Sequence, residues 1–137
     1  MKIWFRTNRS PRLCALLCLA ALTATLLAGC AAEEFKTYPY SPGEYFVTNV
    51  RDSRNYLKAE VVIDVPDSKY IDTLTEKTYV VRSLVTAFLS QQNEAALNDP
   101  DAIAILSEEL KLLINKELGA DYCYKIWFPT FAIQLTR

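Results

Sequence analysis

Residues 55–65 read Asn-Tyr-Leu-Lys-Ala-Glu-Val-Val-Ile-Asp-Val, and their alternation decides the fold. One set of alternate positions is entirely apolar: Leu57, Ala59, Val61, Ile63 and Val65. The other set is mostly polar: Tyr56, Lys58, Glu60, Val62 and Asp64. Successive side chains of a strand point to opposite faces, so this pattern predicts a half-buried antiparallel strand. Pro66 ends the strand because proline cannot donate to a ladder.

A second strand is predicted immediately before this one. Residues 44–50 include four residues that favour strands: Tyr45, Phe46, Val47 and Val50. Arg51 to Arg54 is polar and suits a turn, so the two strands are expected to form a hairpin.

Helical periodicity begins after Pro66. Asp67 or Ser68 is a candidate cap. A stripe with helical spacing then predicts one helix from Lys69 to about Gln92: Ile71, Leu74, Thr78, Val81, Val85 and Phe88. Asn98, Asp99 and Pro100 predict a second helix start, and Gly119 its end. The buried stripe expected of that helix is Ile103, Leu106, Leu110, Leu113 or Ile114, and Leu118.

The closing residues 121–135 predict one long strand rich in aromatic and branched side chains. Pro129 lies inside it, so we expect an edge strand or a bulge there. The aromatic cluster of this strand is interpreted mainly as core. The order β-β-α-α-β then predicts a small α+β domain, in which a hairpin plus the C-terminal strand forms an antiparallel sheet with two helices on one face.

The N-terminal residues predict a secretory signal or a membrane anchor. Basic residues precede an apolar run that ends at Leu26-Leu27-Ala28-Gly29-Cys30, the anatomy of a secretory signal. Leu-Ala-Gly-Cys resembles a bacterial lipobox, which predicts lipidation of Cys30. The alternative is an uncleaved membrane helix, because residues 13–32 contain no charge. We therefore expect a signal or anchor at 1–29, a tether at 30–43, and a domain at 44–137 on the far side of the membrane.

The tether has an unusual composition for a spacer. Pro39, Pro42 and Gly43 disfavour regular structure in it. Its aromatic residues are Phe35, Tyr38 and Tyr40, which are candidates for contact with a partner. The alternative is that they lie against the domain or the lipid headgroups.

Composition excludes several classes of function. After residue 29 the chain holds 11 Lys and Arg against 16 Asp and Glu, a net charge of −5, which disfavours nucleic acid. Histidine is absent, which removes His-dependent nucleophile activation and the commonest transition-metal ligand. The three glycines are scattered, so no phosphate loop is expected. We predict no enzyme, no metal and no cofactor.

Cys123 is the only cysteine expected in the mature domain besides Cys30, since Cys14 and Cys18 lie in the signal. A buried, inert thiol in a strand is expected, and the alternative is an intermolecular disulfide.

Four segments resemble, in order, the flagellar basal body-associated FliL family. They are residues 54–63, residues 80–90, residues 106–118 and residues 126–134, the last being Ile-Trp-Phe-Pro-Thr-Phe-Ala-Ile-Gln. The resemblance implies a stomatin-like, non-catalytic domain that supports the flagellar motor, motility and chemotaxis beside the stator. It also implies MotB-like partners and a homo-oligomer. The chain departs from the family pattern at Asp99-Pro100-Asp101, where a glycine is usual, and in having a lipobox in place of a cytoplasmic tail and a membrane helix.

Two functions are therefore expected. The first is a FliL-like accessory protein that acts by protein–protein contact on the periplasmic side of the cell membrane or the outer membrane. Ala31 after the cysteine favours the outer membrane. The second is an envelope lipoprotein that binds lipid or a small apolar ligand between the sheet and the helices.

Overall fold

The structure is a computed structural model that describes residues 35–135. These residues form six strands and four helices: β1 (Tyr38–Tyr40), β2 (Phe46–Asn49), β3 (Tyr56–Ala59), β4 (Val62–Val65), α1 (Lys69–Glu76), α2 (Thr78–Ser90), α3 (Glu94–Leu97), α4 (Ala102–Leu118), β5 (Lys125–Trp127) and β6 (Phe131–Gln134). The predicted α+β class is confirmed, with more and shorter elements than the sequence indicated.

The strands form two three-stranded antiparallel sheets. We call β1-β4-β5 the proximal half-sheet and β2-β3-β6 the distal half-sheet. The central strands β3 and β4 follow each other directly along the chain, as do β5 and β6 beside them. The two half-sheets are therefore halves of one bent sheet. The alternating residues 55–65 run through the middle of both halves.

The predicted long C-terminal strand is interrupted at Pro129. Ala59 pairs with Phe131 and Val62 pairs with Trp127, so three residues of the later strand stand opposite two of the central one. This extra residue is the bulge that an internal proline predicts. The amide of Glu60 donates to the carbonyl of Thr130 at 2.8 Å and holds the corner.

The inner face of the central strands follows the predicted alternation without error. All five apolar positions are fully inaccessible to solvent: Leu57, Ala59, Val61, Ile63 and Val65 at 0% exposure. The interruption between β3 and β4 keeps the parity, so both halves bury the same set. Helices α2 and α4 pack on this sheet through β2 and β5 respectively.

The predicted hairpin between β2 and β3 is confirmed, with a turn at Arg51–Arg54. Asp52 adopts a left-handed conformation with φ 60°. The Ser53 hydroxyl and the side-chain amide of Asn55 both donate to the same carboxylate oxygen of Glu94, the first residue of α3. The turn of the distal half-sheet is thereby tied to a helix about 40 residues later along the chain.

The prediction of one helix from Lys69 to Gln92 is wrong, because the helix breaks at Lys77. That residue has φ −99° and ψ 16°, outside helical values. The Thr78 hydroxyl bonds back to the carbonyls of Leu74 and Thr75 at 3.2 and 2.7 Å. Such side-chain bonds compete with the helical ladder, and they separate α1 from α2.

The second long helix, α4, begins at Ala102, two residues after the predicted start at Pro100, and it ends before Gly119, as predicted. Gly119 has φ 78°, the left-handed conformation of a helix C-terminus. One residue of its predicted stripe is misplaced: Ile103 is 50% exposed, and Ala102 is buried instead. The buried positions repeat every four residues from Ala102, and Ile103 lies about 100° away around the axis.

The strand β1 lies within residues 30–43, for which the sequence predicted a tether without regular structure. Tyr38–Tyr40 pairs with β4 despite Pro39, because an edge strand does not need every amide. Arg82 fixes the next loop: its Nη1 donates to the Pro42 carbonyl at 2.9 Å. A Cβ at Gly43 would lie 1.8 Å from that nitrogen and would displace the Arg82 side chain, and the φ of Gly43, 148°, is one that other residues rarely adopt.

Candidate interaction surfaces

The predicted site residues occupy different environments. Cys30 lies outside the described residues. Phe35 is 59% exposed, Tyr38 is half-buried, and Tyr40 is 7% exposed. The Tyr40 hydroxyl donates to the Leu74 carbonyl at 3.0 Å and lies 2.8 Å from the Thr78 hydroxyl. Partner contact by these residues stays a prediction, and Phe35 has most surface to offer.

The first exposed surface lies on the outer face of the proximal half-sheet. We call it the proximal surface: it comprises Asp64, Lys125 and Trp127 on that face, together with Phe35 and Tyr124, which precede β1 and β5. The rings of Phe35 and Tyr124 are 4.8 Å apart, and the Lys125 ammonium lies 3.6 Å from the centre of the Trp127 ring. The Trp127 indole donates to the Asp64 carboxylate at 2.6 Å, and the Tyr124 amide donates to the Asp64 carbonyl at 2.8 Å. Asp64 therefore connects the two aromatic groups.

The expectation that the C-terminal aromatic cluster is mainly core is wrong for part of it. Tyr124 is 50% exposed and Trp127 is 47% exposed, whereas Ile126 between them is buried. The alternation of this strand indicates the exposure of Trp127, because Lys125 and Trp127 share the face opposite the buried Ile126.

The second exposed surface lies on the outer face of the distal half-sheet. We call it the distal surface, and it comprises Tyr45, Val47, Tyr56 and Lys58. Val47 is 62% exposed, and the Lys58 ammonium lies 4.0 Å from the centre of the Tyr45 ring. Each half-sheet thus shows a lysine over an aromatic ring on its outer face.

A groove of about 510 Å³ separates the start of α4 from β5. Its apolar walls come from Ile103 and Ala104 on the helix and from Trp127 and Phe128 on the strand side. Asp101 and Glu108 stand on the helix side of the same groove. The groove lies at the free edge of the proximal half-sheet, not between the sheet and the helices, where the side chains of the core fill the space.

Cys123 is a buried thiol, as predicted, although it precedes β5 and does not lie in a strand. It is 4% exposed, and burial raises its pKa to about 12. The Asn115 side chain accepts from the Cys123 amide at 2.8 Å and donates to its carbonyl at 3.0 Å. The thiol is neutral at physiological pH, where a neutral thiol is a poor nucleophile.

Residues 35–135 contain no group of three or more metal-ligating side chains. No helix within the same residues is long and apolar enough to cross a bilayer. The two outer surfaces and the groove described above are exposed and can contact other molecules.

The folded part of the chain matches the model of a known protein family. The family model of the flagellar basal body-associated protein FliL matches residues 40–134. The chain belongs to the FliL family. The match begins at the last residue of β1 and ends at the last residue of β6, so it includes both central strands and all four described helices. A search of the curated proteins found no match.

Membership in the FliL family makes this chain an accessory protein of the flagellar basal body. The resemblance given by the four ordered segments is therefore confirmed. Asp99-Pro100-Asp101 leads into α4: the Asp99 carboxylate accepts from the Asp101 amide at 2.8 Å.

Proposed function

We propose that this FliL-family protein is anchored to a bacterial membrane and supports or regulates the flagellar stator and motor through protein–protein contacts on the periplasmic side. Support comes from the family match over residues 40–134 and from the signal that ends at Cys30. Two exposed surfaces and no cluster of metal-ligating groups among residues 35–135 suit a protein that acts by contact. MotB-like stator proteins and further copies of the chain are the proposed partners.

Deletion of the gene tests this role. We expect swimming and swarming to weaken under high load, and the number of stator units per motor, counted by fluorescence, to fall. Unchanged motility and stator number at high load would contradict the proposal. Complementation with the wild-type chain is the control.

A Cys30→Ala variant tests the anchor. If Cys30 carries acyl chains, the variant should leave the membrane fraction or accumulate unprocessed, and the intact mass of the wild-type protein should include the acyl groups. Unaltered membrane retention and a mass without acyl groups would instead favour the spanning helix.

A second function has one observation in its favour. The groove between α4 and β5 has apolar walls and the volume of a small-ligand site. In this alternative the protein is an envelope lipoprotein that binds lipid or a small apolar ligand there. Native mass spectrometry of the purified protein would then detect a bound ligand, and a clean apo mass would exclude it.

A further inference from the structure

The proximal surface combines exposed aromatic rings with lysine. Phe35, Tyr124 and Trp127 are each about half exposed or more, and Lys125 lies over the indole of Trp127. Tyrosine and tryptophan favour the headgroup layer of a bilayer, where an apolar ring and a polar tip are both satisfied. Lysine suits the same layer because its stem is apolar and its ammonium reaches phosphate.

The charge of this surface differs from that of the rest of the chain. Residues after 29 carry a net charge of −5, which a membrane of acidic phospholipids repels. The proximal surface has Lys125 against the carboxylate of Asp64, which accepts the Trp127 indole, and Lys36 adjoins Phe35 in the chain. Asp101 and Glu108 stand across the groove from Trp127. The surface itself is therefore less acidic than the rest of the domain, which favours its approach to an acidic bilayer.

The length of chain before the surface points to the same occupant. Phe35 follows Cys30 by five residues, so its Cα lies within about 18 Å of an anchored cysteine even if the chain is fully extended. If the anchor is a spanning helix that ends near Ala32, the distance is shorter. With either anchor, the end of the proximal surface that carries Phe35 stays near the bilayer.

We propose that the proximal surface is a membrane-docking face, with Phe35, Tyr124 and Trp127 in the lipid headgroup layer and Lys125 facing the phosphates of acidic phospholipids. This inference rests on the membrane anchoring proposed above. It leaves the distal surface as the face open to protein partners, because Lys125 and Trp127 also line the groove beside α4.

The tryptophan content allows a direct test. The chain has two tryptophans, Trp4 and Trp127, and a Trp4→Phe substitution leaves Trp127 alone whichever anchor is present. The full-length protein is reconstituted into vesicles of phosphatidylethanolamine and phosphatidylglycerol. Fluorescence quenching is measured with nitroxides on the lipid headgroup or deep in the acyl chain, and with iodide in the water. We expect stronger quenching by the headgroup nitroxide than by the deep one, and weaker quenching by iodide than for a tryptophan placed on the distal surface of the same folded protein.

The distal surface supplies the matched control. The triple variant Trp4→Phe, Trp127→Phe, Tyr45→Trp moves the single tryptophan to the equivalent position beside Lys58, and lipid nitroxides should not quench it. Lys125→Glu should reduce the quenching of Trp127, and Lys58→Glu should leave it unchanged, since both replace a lysine that covers a ring.

Vesicle flotation separates this inference from the anchoring proposal. If the protein floats with the vesicles but lipid nitroxides do not quench Trp127, the docking face is wrong while anchoring stands. If the protein does not float, anchoring itself fails. Crosslinking of a photoreactive residue at position 127 to a protein rather than to lipid in intact cells would also overturn the inference, because a protein would then occupy the face.

Discussion

The proximal and distal half-sheets have one buried face in common but differ in what holds each of them and in what each exposes. The proximal half is held at its edge strand by Tyr40, whose hydroxyl reaches α1 and Thr78. The distal half is held at its turn by Glu94, which accepts from Ser53 and Asn55. Both outer faces pair a lysine with an aromatic ring, so surface chemistry alone does not distinguish them. The two faces are distinguished by their distances along the chain from the proposed anchor at Cys30.

The largest effect is expected from the inner face that both halves share. Leu57→Ala in the distal half and Ile63→Ala in the proximal half each remove a fully buried side chain, and each should lower the free energy of unfolding by about 2–5 kcal/mol. Urea unfolding followed by circular dichroism and by tryptophan fluorescence measures this. The two probes should give one common transition in both variants, and two separate transitions would mean that the halves unfold independently.

Glu94→Ala should weaken the distal half alone. The substitution removes two charge-assisted hydrogen bonds from the β2–β3 turn, a loss of about 1–3 kcal/mol. Hydrogen exchange should accelerate at residues 50–55 and remain unchanged in β1. Glu109→Ala, which replaces an exposed carboxylate on α4, is the matched control and should change neither. Equal exchange in Glu94→Ala and wild type would disprove the role of this contact.

Tyr40→Phe should weaken the proximal half alone, and by less. The ring stays in the core, and only the hydrogen bonds of the hydroxyl are lost, which costs about 0.5–1.5 kcal/mol. Faster exchange confined to β1 and α1 would sharpen the distinction between the halves. Tyr79→Phe is the control, since Tyr79 is 76% exposed and its substitution should leave stability unchanged.

The smallest effect concerns Cys123 beside β5. Burial raises its pKa from an ordinary value of 9.0 to about 12, so the folded state keeps the proton to higher pH than the unfolded chain does. Its contribution to stability is thus intact well below pH 9 and is lost as the pH rises towards 12. Near pH 9 the loss relative to neutral pH is a fraction of about 1 kcal/mol, and it grows as the pH rises further.

Comparison of wild type with Cys123→Ala over this pH range isolates the thiol, because other groups titrate equally in both proteins. The stability difference between them should shrink as the pH rises. A difference that is constant from pH 7 to pH 10 would show that the thiol is not the cause.

Local patterns predicted most of the core and the overall class. Strict alternation identified every buried position of the central strands, because the side-chain period of a strand survives a bend. Gly119 identified a helix end, because few other residues adopt its backbone conformation. Pro129 indicated a bulge for the same kind of local reason.

Contacts between distant residues decided what the sequence analysis missed. Thr78, next to the break at Lys77, lies 2.8 Å from the Tyr40 hydroxyl, 38 residues earlier in the chain, and β1 depends on the edge that β4 presents to Tyr38–Tyr40. The exposure of Trp127 depends on which face of β5 the helices cover. None of these is encoded in a short window of residues.

The sequence by itself predicted a membrane signal and determined the resemblance to the FliL family and the buried face of the sheet, since each depends on consecutive or regularly spaced residues. Only the tertiary structure decided that the sheet bends into two halves and that Asp64 joins Trp127 to Tyr124 on an outer face. The reason is physical: burial follows local periodicity, whereas a surface is assembled from side chains that only the folded backbone brings together.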